Sequence, residues 1–224
     1  LTRSSAASDV YKRQVDGLSL IDGAFALIAL ADGKLIGARD SLGIRPLIIG
    51  KLDKRFILSS ETCALDIIGA KFVREVENGE IVIISDGKIE SIKPFPKLKK
   101  RPCIFEYIYF ARPDSIFDNI SIYECRKNFG KELASESPCL ADVVVPVPDS
   151  GVPAALGYAE AGGLPFGLGI IRNHYVGRTF IEPQQSSRDF GVKLKHNINR
   201  QVVSGKKVVL IDDSIVRGTT SVKI

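Results

Sequence analysis

No apolar run in the sequence approaches the ~20 residues needed to cross a bilayer as a helix, so no membrane span is expected. The four cysteines, Cys63, Cys103, Cys125 and Cys139, form no C-x-x-C pair and no metal-finger spacing. A chain this large and apolar needs no disulfide scaffold, and no secretory signal is visible. Reduced thiols and a cytoplasmic location are the expectation. Histidine is scarce: His174 and His196 are the only two, and neither has a ligand partner at metal-site spacing. A phosphate loop of the Walker type is absent, because Gly205-Lys206 lacks an upstream glycine at the right distance. Gly167-x-Gly169 lacks the third glycine of a dinucleotide fingerprint and lies before or within a strand rather than after one. A concentrated basic face is also missing. The net charge of +5 is mild; it suits an anionic ligand and does not by itself imply nucleic acid.

What remains is the profile of a globular protein. Of 224 residues, 45% are hydrophobic and 25% charged, enough for one large or two modest domains. The chemistry concentrates in Lys206–Ser221, KKVVLIDDSIVRGTTS. Val208–Ile211 is a continuous apolar run, expected as a strand buried on both faces of a parallel sheet. Asp212 and Asp213 follow at its carboxyl end, where ligands bind in open α/β sheets. The loop Ser214–Ser221 supplies small hydroxyl residues and one glycine. Such a loop at a helix start offers backbone N–H groups to a phosphate. Two carboxylates repel phosphate; they suit ribose hydroxyls or a Mg²⁺ that offsets a polyphosphate. One Asp alone would be an ordinary helix cap; the ten-residue string is harder to explain that way.

Taken in order, residues 1–14 are polar and aperiodic and are set aside as a non-native scar. Gly23–Ser59 is β-rich. Two runs meet at Asp32-Gly33, a strong hairpin signal, and the wholly apolar Phe25–Leu30 predicts a hairpin lying between layers. Strands are expected at Leu47–Gly50, Phe56–Ser59, Lys71–Glu75, Glu80–Ser85 and Lys88–Lys93, with a tight turn at Asp86-Gly87. A short helix is expected over Glu61–Ile68, capped by Ser60. Ser91–Arg101 carries two prolines and a cluster of lysines, read as solvated, and places a domain boundary nearby. The aromatics of Cys103–Ser115 suggest a strand packing between domains. Ser121–Ser135 reads as an amphipathic helix, Asp142–Val147 as a buried strand, Val152–Ala161 as a helix stopped by Gly162-Gly163, and Phe166–Ile171 as the next strand. A doubly wound parallel sheet follows, with Ser150 and Asp212 on one edge. The long connection after Arg172 is basic and rich in Gly, Pro, Gln and Ser; connections of this length in compact domains are functional or disordered.

Several of these segments carry a resemblance. DDSIVRGTTS resembles the phosphoribosyl-pyrophosphate (PRPP) signature of type I phosphoribosyltransferases, and in this wording it is most similar to that of the amidophosphoribosyltransferase family. RDSLGIRPL (with Arg39, Gly43, Arg45 and Pro46), SSE at Ser59–Glu61, FEYIYFARPDS and RNHYVGRTF resemble other segments of that family, so the resemblance covers about Val15 to Ile224. It implies part of an N-terminal-nucleophile hydrolase αββα sandwich (residues 15–93), a linker and interdomain segment (94–120), and a truncated phosphoribosyltransferase sheet (121–224). It implies the formation of 5-phosphoribosylamine from PRPP and glutamine-derived ammonia in purine synthesis. PRPP would be held by Asp212, Asp213, Ser214, Arg217, Gly218, Thr219, Thr220 and Ser221. A flexible loop with Arg172, Tyr175 and Arg178 would close over it, and Ser150, Asp212 and Asp213 would hold Mg²⁺. In the subset of the family with a [4Fe–4S] cluster, a cysteine stands at Cys103. The other three ligands would lie past Ile224, and clusters need four.

The resemblance also implies a homo-oligomer, with no nucleic-acid or membrane partner. It departs at one place: the family's catalytic cysteine, at the mature N-terminus, has no counterpart here. Cys63 sits inside a predicted helix and cannot replace it, so glutamine hydrolysis is not expected of this chain. The sequence is read as a piece cut at both ends and poorly soluble alone. Two other functions share the signature: a nucleobase phosphoribosyltransferase, and a non-enzymatic regulator that senses PRPP. The first would lack the preceding sandwich; the second needs a DNA-binding module or basic face that is not seen.

Overall fold

The computed structural model describes residues 15–96, 98–173 and 196–214. The chain divides into two compact units. One comprises Leu1–Glu106 with Phe110–Asn119, and the other Tyr107–Tyr109 with Ile120–Ile224.

The first unit holds two antiparallel sheets. Strands β1 (Ala26–Ala31), β2 (Lys34–Arg39), β6 (Ile81–Ser85) and β7 (Lys88–Ile92) form one, in the order β1-β2-β6-β7. Strands β3 (Ile48–Leu52), β4 (Arg55–Ser59) and β5 (Lys71–Glu75) form the other, in the order β4-β3-β5. The turns have the predicted chemistry: Asp32-Gly33 and Asp86-Gly87 all take positive φ, the conformation that closes two-residue hairpins in register with the strand twist. A third two-residue turn, Asp53-Lys54, has positive φ at Asp53 alone and carried no Asp-Gly signal. The sheets meet face to face. Ala26, Val82 and Ile89 of the first pack with Ile49, Phe56 and Leu58 of the second. Val15 and Leu18, from helical residues 15–19, lie on the outer face of the first sheet. Helix α1 (Thr62–Ile67) covers the outer face of the second through Leu65. The unit is thus layered helix, sheet, sheet, helix.

RDSLGIRPL is turn chemistry. Arg39 is buried and donates to three carbonyls, from Nε to Arg45 (2.8 Å), from Nη1 to Val76 (2.7 Å) and from Nη2 to Gly43 (3.1 Å). Asp40 accepts from the backbone N–H of Leu42 (2.9 Å) and Ile44 (3.2 Å). Buried polar groups are tolerated when satisfied in this way.

Three expectations fail in this unit, each for a tertiary reason. β1 is not covered on both sides. Among the described residues it is an edge strand, and Leu27, Ile28 and Leu30 are exposed, Leu30 at 79%. The helix cap is Glu61, not Ser60, and makes no side-chain capping bond; instead the Ser59 hydroxyl accepts from the Glu61 N–H (3.4 Å). The lysine segment is largely exposed, in line with the solvated reading, and two of its lysines form ion pairs: Lys93 with Glu77 (2.8 Å), and Lys100 with Glu75 (2.9 Å) and Asp118 (2.7 Å). The aromatic stretch is no strand; Glu106–Phe110 forms a π-helical turn. That turn lets Glu106 and Phe110 reach one side chain, Arg45. Its Nε lies 3.0 Å from Glu106 Oε1 and its guanidinium 4.7 Å from the Phe110 ring. An extended chain would hold residues four apart too far from each other to share it.

An exposed apolar edge strand is a template for association. We expect this chain to self-associate, and Leu30→Lys to raise its soluble fraction without lowering its unfolding midpoint. Sedimentation together with urea unfolding checks both; a Leu30→Lys variant that associates as readily as the parent contradicts the assignment.

In the second unit, helix α2 (Ile122–Glu136) begins at Ser121, whose hydroxyl accepts from the Glu124 N–H (3.3 Å). Its buried stripe is Ile122, Arg126, Gly130 and Ala134, the four-residue spacing of one helix face. Arg126 is satisfied there, donating to the Tyr107 carbonyl (2.8 Å). Helix α3 (Val152–Gly162) packs against it and ends at Gly163, φ +62°. After the two-residue strands β8 (Ile116–Phe117) and β9 (Ile120–Ser121), strands β10 (Val143–Pro146) and β13 (Val208–Ile211) pair in parallel, and Phe166 bridges the other side of β10 at Val144, also parallel. The strand expected over Phe166–Ile171 is shorter. Only Ile170–Arg172 (β11) is extended in a ladder, antiparallel to β12 (His196–Ile198). Nor is β13 buried on both faces. Ile211 and Val209 pack toward α3, whereas Val208 and Leu210 are about 40% exposed, because β13 is an edge strand among the described residues.

Candidate functional site

The site is built where β10 and β13 end. Val143 pairs with Val208 and Pro146 with Ile211; because the strands run parallel, the loops that follow them leave from the same edge. The ladder continues one step, the Val147 N–H donating to the Ile211 carbonyl (2.8 Å). The first loop, Pro148–Gly151, then turns into α3. Gly151 is required at that turn: a Cβ there would lie 2.6 Å from the Ile211 carbonyl oxygen and 2.9 Å from that of Val147. The second loop opens with Asp212.

Ser150, Asp212 and Asp213 line one cavity of about 380 Å³, together with Arg126 and Phe129 of α2. Three oxygen-bearing residues, from two loops about sixty residues apart in sequence, thus line the same cavity. The Asp213 N–H donates to Asp212 Oδ1 (2.9 Å), and the Ser214 hydroxyl donates to Asp213 Oδ1 (2.8 Å). Each carboxylate keeps one oxygen clear of these bonds. Desolvation at the cavity wall raises the Asp212 pKa above the ordinary value; the Asp213 N–H opposes this and the Asp213 charge adds to it. One or two carboxylates and a hydroxyl are the donors that Mg²⁺ takes together with substrate oxygens, so the chemistry of the set fits that ion.

Arg172 is placed differently from expectation. It lies in β11, paired across to His196, and its Nη1 forms an ion pair with Asp149 Oδ2. Asp149 went unnoticed in the sequence, although it stands beside Ser150. Tyr175, Arg178, Arg217, Gly218, Thr219, Thr220 and Ser221 lie outside the described residues, as do residues 1–14 and His174. Cys103 is half-buried, and among the described residues no three His, Cys, Asp or Glu side chains converge on a metal position. These residues therefore do not by themselves form an iron–sulfur site. Burial raises the Cys63 pKa, the behaviour of an inert thiol. No helix among the described residues is long and apolar enough to cross a membrane.

Comparison with known proteins bears on this geometry. Residues 5–66 match the model of a glutamine amidotransferase domain family, a match that begins within the stretch set aside above. The amidophosphoribosyltransferase of Rhizobium etli is 58% identical over 228 residues, covering all of this chain and 45% of the relative. Over its whole length the chain is similar to amidophosphoribosyltransferases. A chloroplastic amidophosphoribosyltransferase of Glycine max is 53% identical across 95% of this chain and 37% of its own length. The fold agrees as well. A solved glutamine PRPP amidotransferase from B. subtilis, complexed with ADP and GMP, superposes with a TM-score of 0.87 at 49% identity, over 96% of this chain and 47% of that one. The chain thus spans about half the length of the amidophosphoribosyltransferases it matches.

Proposed function

We propose that the protein carrying this chain transfers ammonia to PRPP: glutamine + PRPP + water → 5-phosphoribosylamine + glutamate + pyrophosphate. The observation that carries the reading is the convergence of Ser150, Asp212 and Asp213 on one cavity at the carboxyl edge of the parallel pair. In this reading residues 15–93 belong to an N-terminal-nucleophile hydrolase sandwich, a proposal that the helix–sheet–sheet–helix layering supports. Residues 94–120 connect it to a phosphoribosyltransferase domain, 121–224, supported by the β10–β13 topology. The protein works as a homo-oligomer in the cytoplasm; the plant relatives are named chloroplastic.

Asp212 and Asp213 hold the ribose hydroxyls, and the 5′-phosphate rests on backbone N–H groups of Arg217–Ser221, with Ser214 at the loop entry. Arg172, Tyr175 and Arg178 border the diphosphate. Mg²⁺, when bound by Ser150, Asp212 and Asp213, balances the charge of the diphosphate. As the bond to C1 breaks, positive charge develops on the sugar; the paired carboxylates favour it electrostatically. Ammonia attacks C1 from the opposite face, so no protein nucleophile is needed.

The test is ammonia-dependent formation of phosphoribosylamine by the product of the complete gene. Consumption of PRPP only with a free nucleobase would replace this reading with a nucleobase phosphoribosyltransferase, and binding without turnover with a PRPP sensor. The raised pKa of Asp212 gives a further expectation. The competent carboxylate is lost as pH falls through a value above the ordinary aspartate range, so the acid limb of PRPP turnover should lie higher than a normal Asp would give. A pH profile of kcat/KM checks this; a limb at or below the usual Asp value contradicts it.

A further inference from the structure

The ion pair between Arg172 and Asp149 lies at the same sheet edge as the carboxylate pair, and its geometry is incomplete. Strand pairing fixes the Arg172 backbone, while its side chain reaches the loop after β10 and gives one terminal nitrogen, Nη1, to Asp149. A guanidinium bound as a fork uses two donors at once. Here Nε is withdrawn from solvent and has no acceptor among the described residues. The pair itself is accessible: the Arg172 side chain is 35% exposed and that of Asp149 56%. Asp149 also adds a third carboxylate to an edge that already carries Asp212 and Asp213, and it is Asp149 that engages the Arg172 guanidinium.

From this we infer that Asp149 is a positioning residue that occupies Arg172 until an oxyanion displaces it, and so sets the affinity of the site for diphosphates. The inference rests on the reading of this edge as a diphosphate site. A ligand oxygen replaces the Asp149 carboxylate on Nη1, and the rotated guanidinium then engages Nε as well. The displaced carboxylate returns to water, so binding is weaker than Arg172 alone would give by the strength of the lost pair.

Asp149→Asn keeps the shape and removes the charge. Titration of inorganic pyrophosphate and of PRPP, both with Mg²⁺, into the wild-type and variant chains tests the idea. Both ligands should bind Asp149→Asn tighter by about two- to five-fold, the range for a partly exposed pair, and the gain should shrink at high salt. In an Arg172→Gln background the same change should have no effect, and in the enzyme made from the complete gene KM for PRPP should fall while kcat stays constant. If pyrophosphate tightens but PRPP binds neither form, the inference stands and the PRPP reading fails. If PRPP binds the wild type and Asp149→Asn leaves its affinity unchanged or lowers it, the inference is overturned and the PRPP reading stands. A raised Mg²⁺ requirement in Asp149→Asn likewise overturns it, since Asp149 would then be a metal ligand.

Discussion

Gly157→Ala and Gly130→Ala should each destabilise the second unit by about 3 kcal/mol or more, a large part of the 5–15 kcal/mol typical of a whole domain. The two glycines sit where α2 and α3 cross. A Cβ on Gly130 would lie 1.8 Å from the Ala154 carbonyl oxygen, and one on Gly157 would lie 1.8 Å from that of Lys127. Both obstacles are backbone, so no rotamer change relieves them and the helices must part. Parting them loosens the contacts that depend on their approach: the Lys127–Glu160 pair (2.7 Å), the Tyr158 hydroxyl on the Ser137 carbonyl (2.8 Å), and the packing of Ala134 with Ala155 and Ala159. Gly162→Ala supplies the control. It lies in the same helix, its added Cβ would meet only side-chain atoms at ordinary contact distance, Leu164 at 3.7 Å and Tyr158 at 3.9 Å, and alanine reduces the freedom of the unfolded chain. Gly162→Ala should raise stability by about 0.4–1 kcal/mol. Urea unfolding followed by tyrosine emission reads all three, with Tyr158 at the crossing as reporter. Near-equal midpoints for Gly157→Ala and Gly162→Ala would sink the close-packing argument.

That crossing shows which features were legible in the sequence. The helix was visible over Ser121–Ser135 as an amphipathic pattern, close to the observed Ile122–Glu136, but nothing local marked Gly130 as a contact rather than a weak point in a helix. Signals that act within a few residues were readable. Asp32-Gly33 and Asp86-Gly87 take positive φ wherever they occur, so both hairpins were placed, and Gly163 ended its helix on the same ground. Features set by partners distant in sequence were not. Glu106 and Phe110 form a π-helical turn because both reach Arg45, sixty residues earlier. β1 and β13 look like central strands by composition, yet their covering depends on what lies beside them. The candidate site was half legible. Asp212 and Asp213 announced themselves as adjacent carboxylates at a strand end, and parallel pairing brought Ser150 to them. Asp149 was hidden because an aspartate in a Pro-Asp-Ser-Gly turn has an ordinary local explanation; only the return of β11 revealed its partner.

The carboxylate pair carries the second large effect. Asp212→Asn and Asp213→Asn should each lower ammonia-dependent turnover of PRPP by about 10²-fold or more in the enzyme made from the complete gene, the scale of losing one preorganised electrostatic contact to the transition state. Neither should unfold the protein. Asn at 213 retains an acceptor for the Ser214 hydroxyl, and Asn at 212 retains one for the neighbouring N–H. The stability effect at 212 has a definite sign. Desolvation and the adjacent Asp213 charge raise the native pKa of Asp212, so its contribution to stability is present below the unfolded pKa and is lost as pH rises through the native one. At neutral pH the ionised group is therefore a small burden, and Asp212→Asn should hold or slightly raise the unfolding midpoint while turnover collapses. Loss of function with unchanged or improved stability is the mark of a group kept for chemistry. Were the pair structural instead, an internal helix cap with no ligand, the same substitutions would lower the midpoint and leave turnover within a few-fold of wild type.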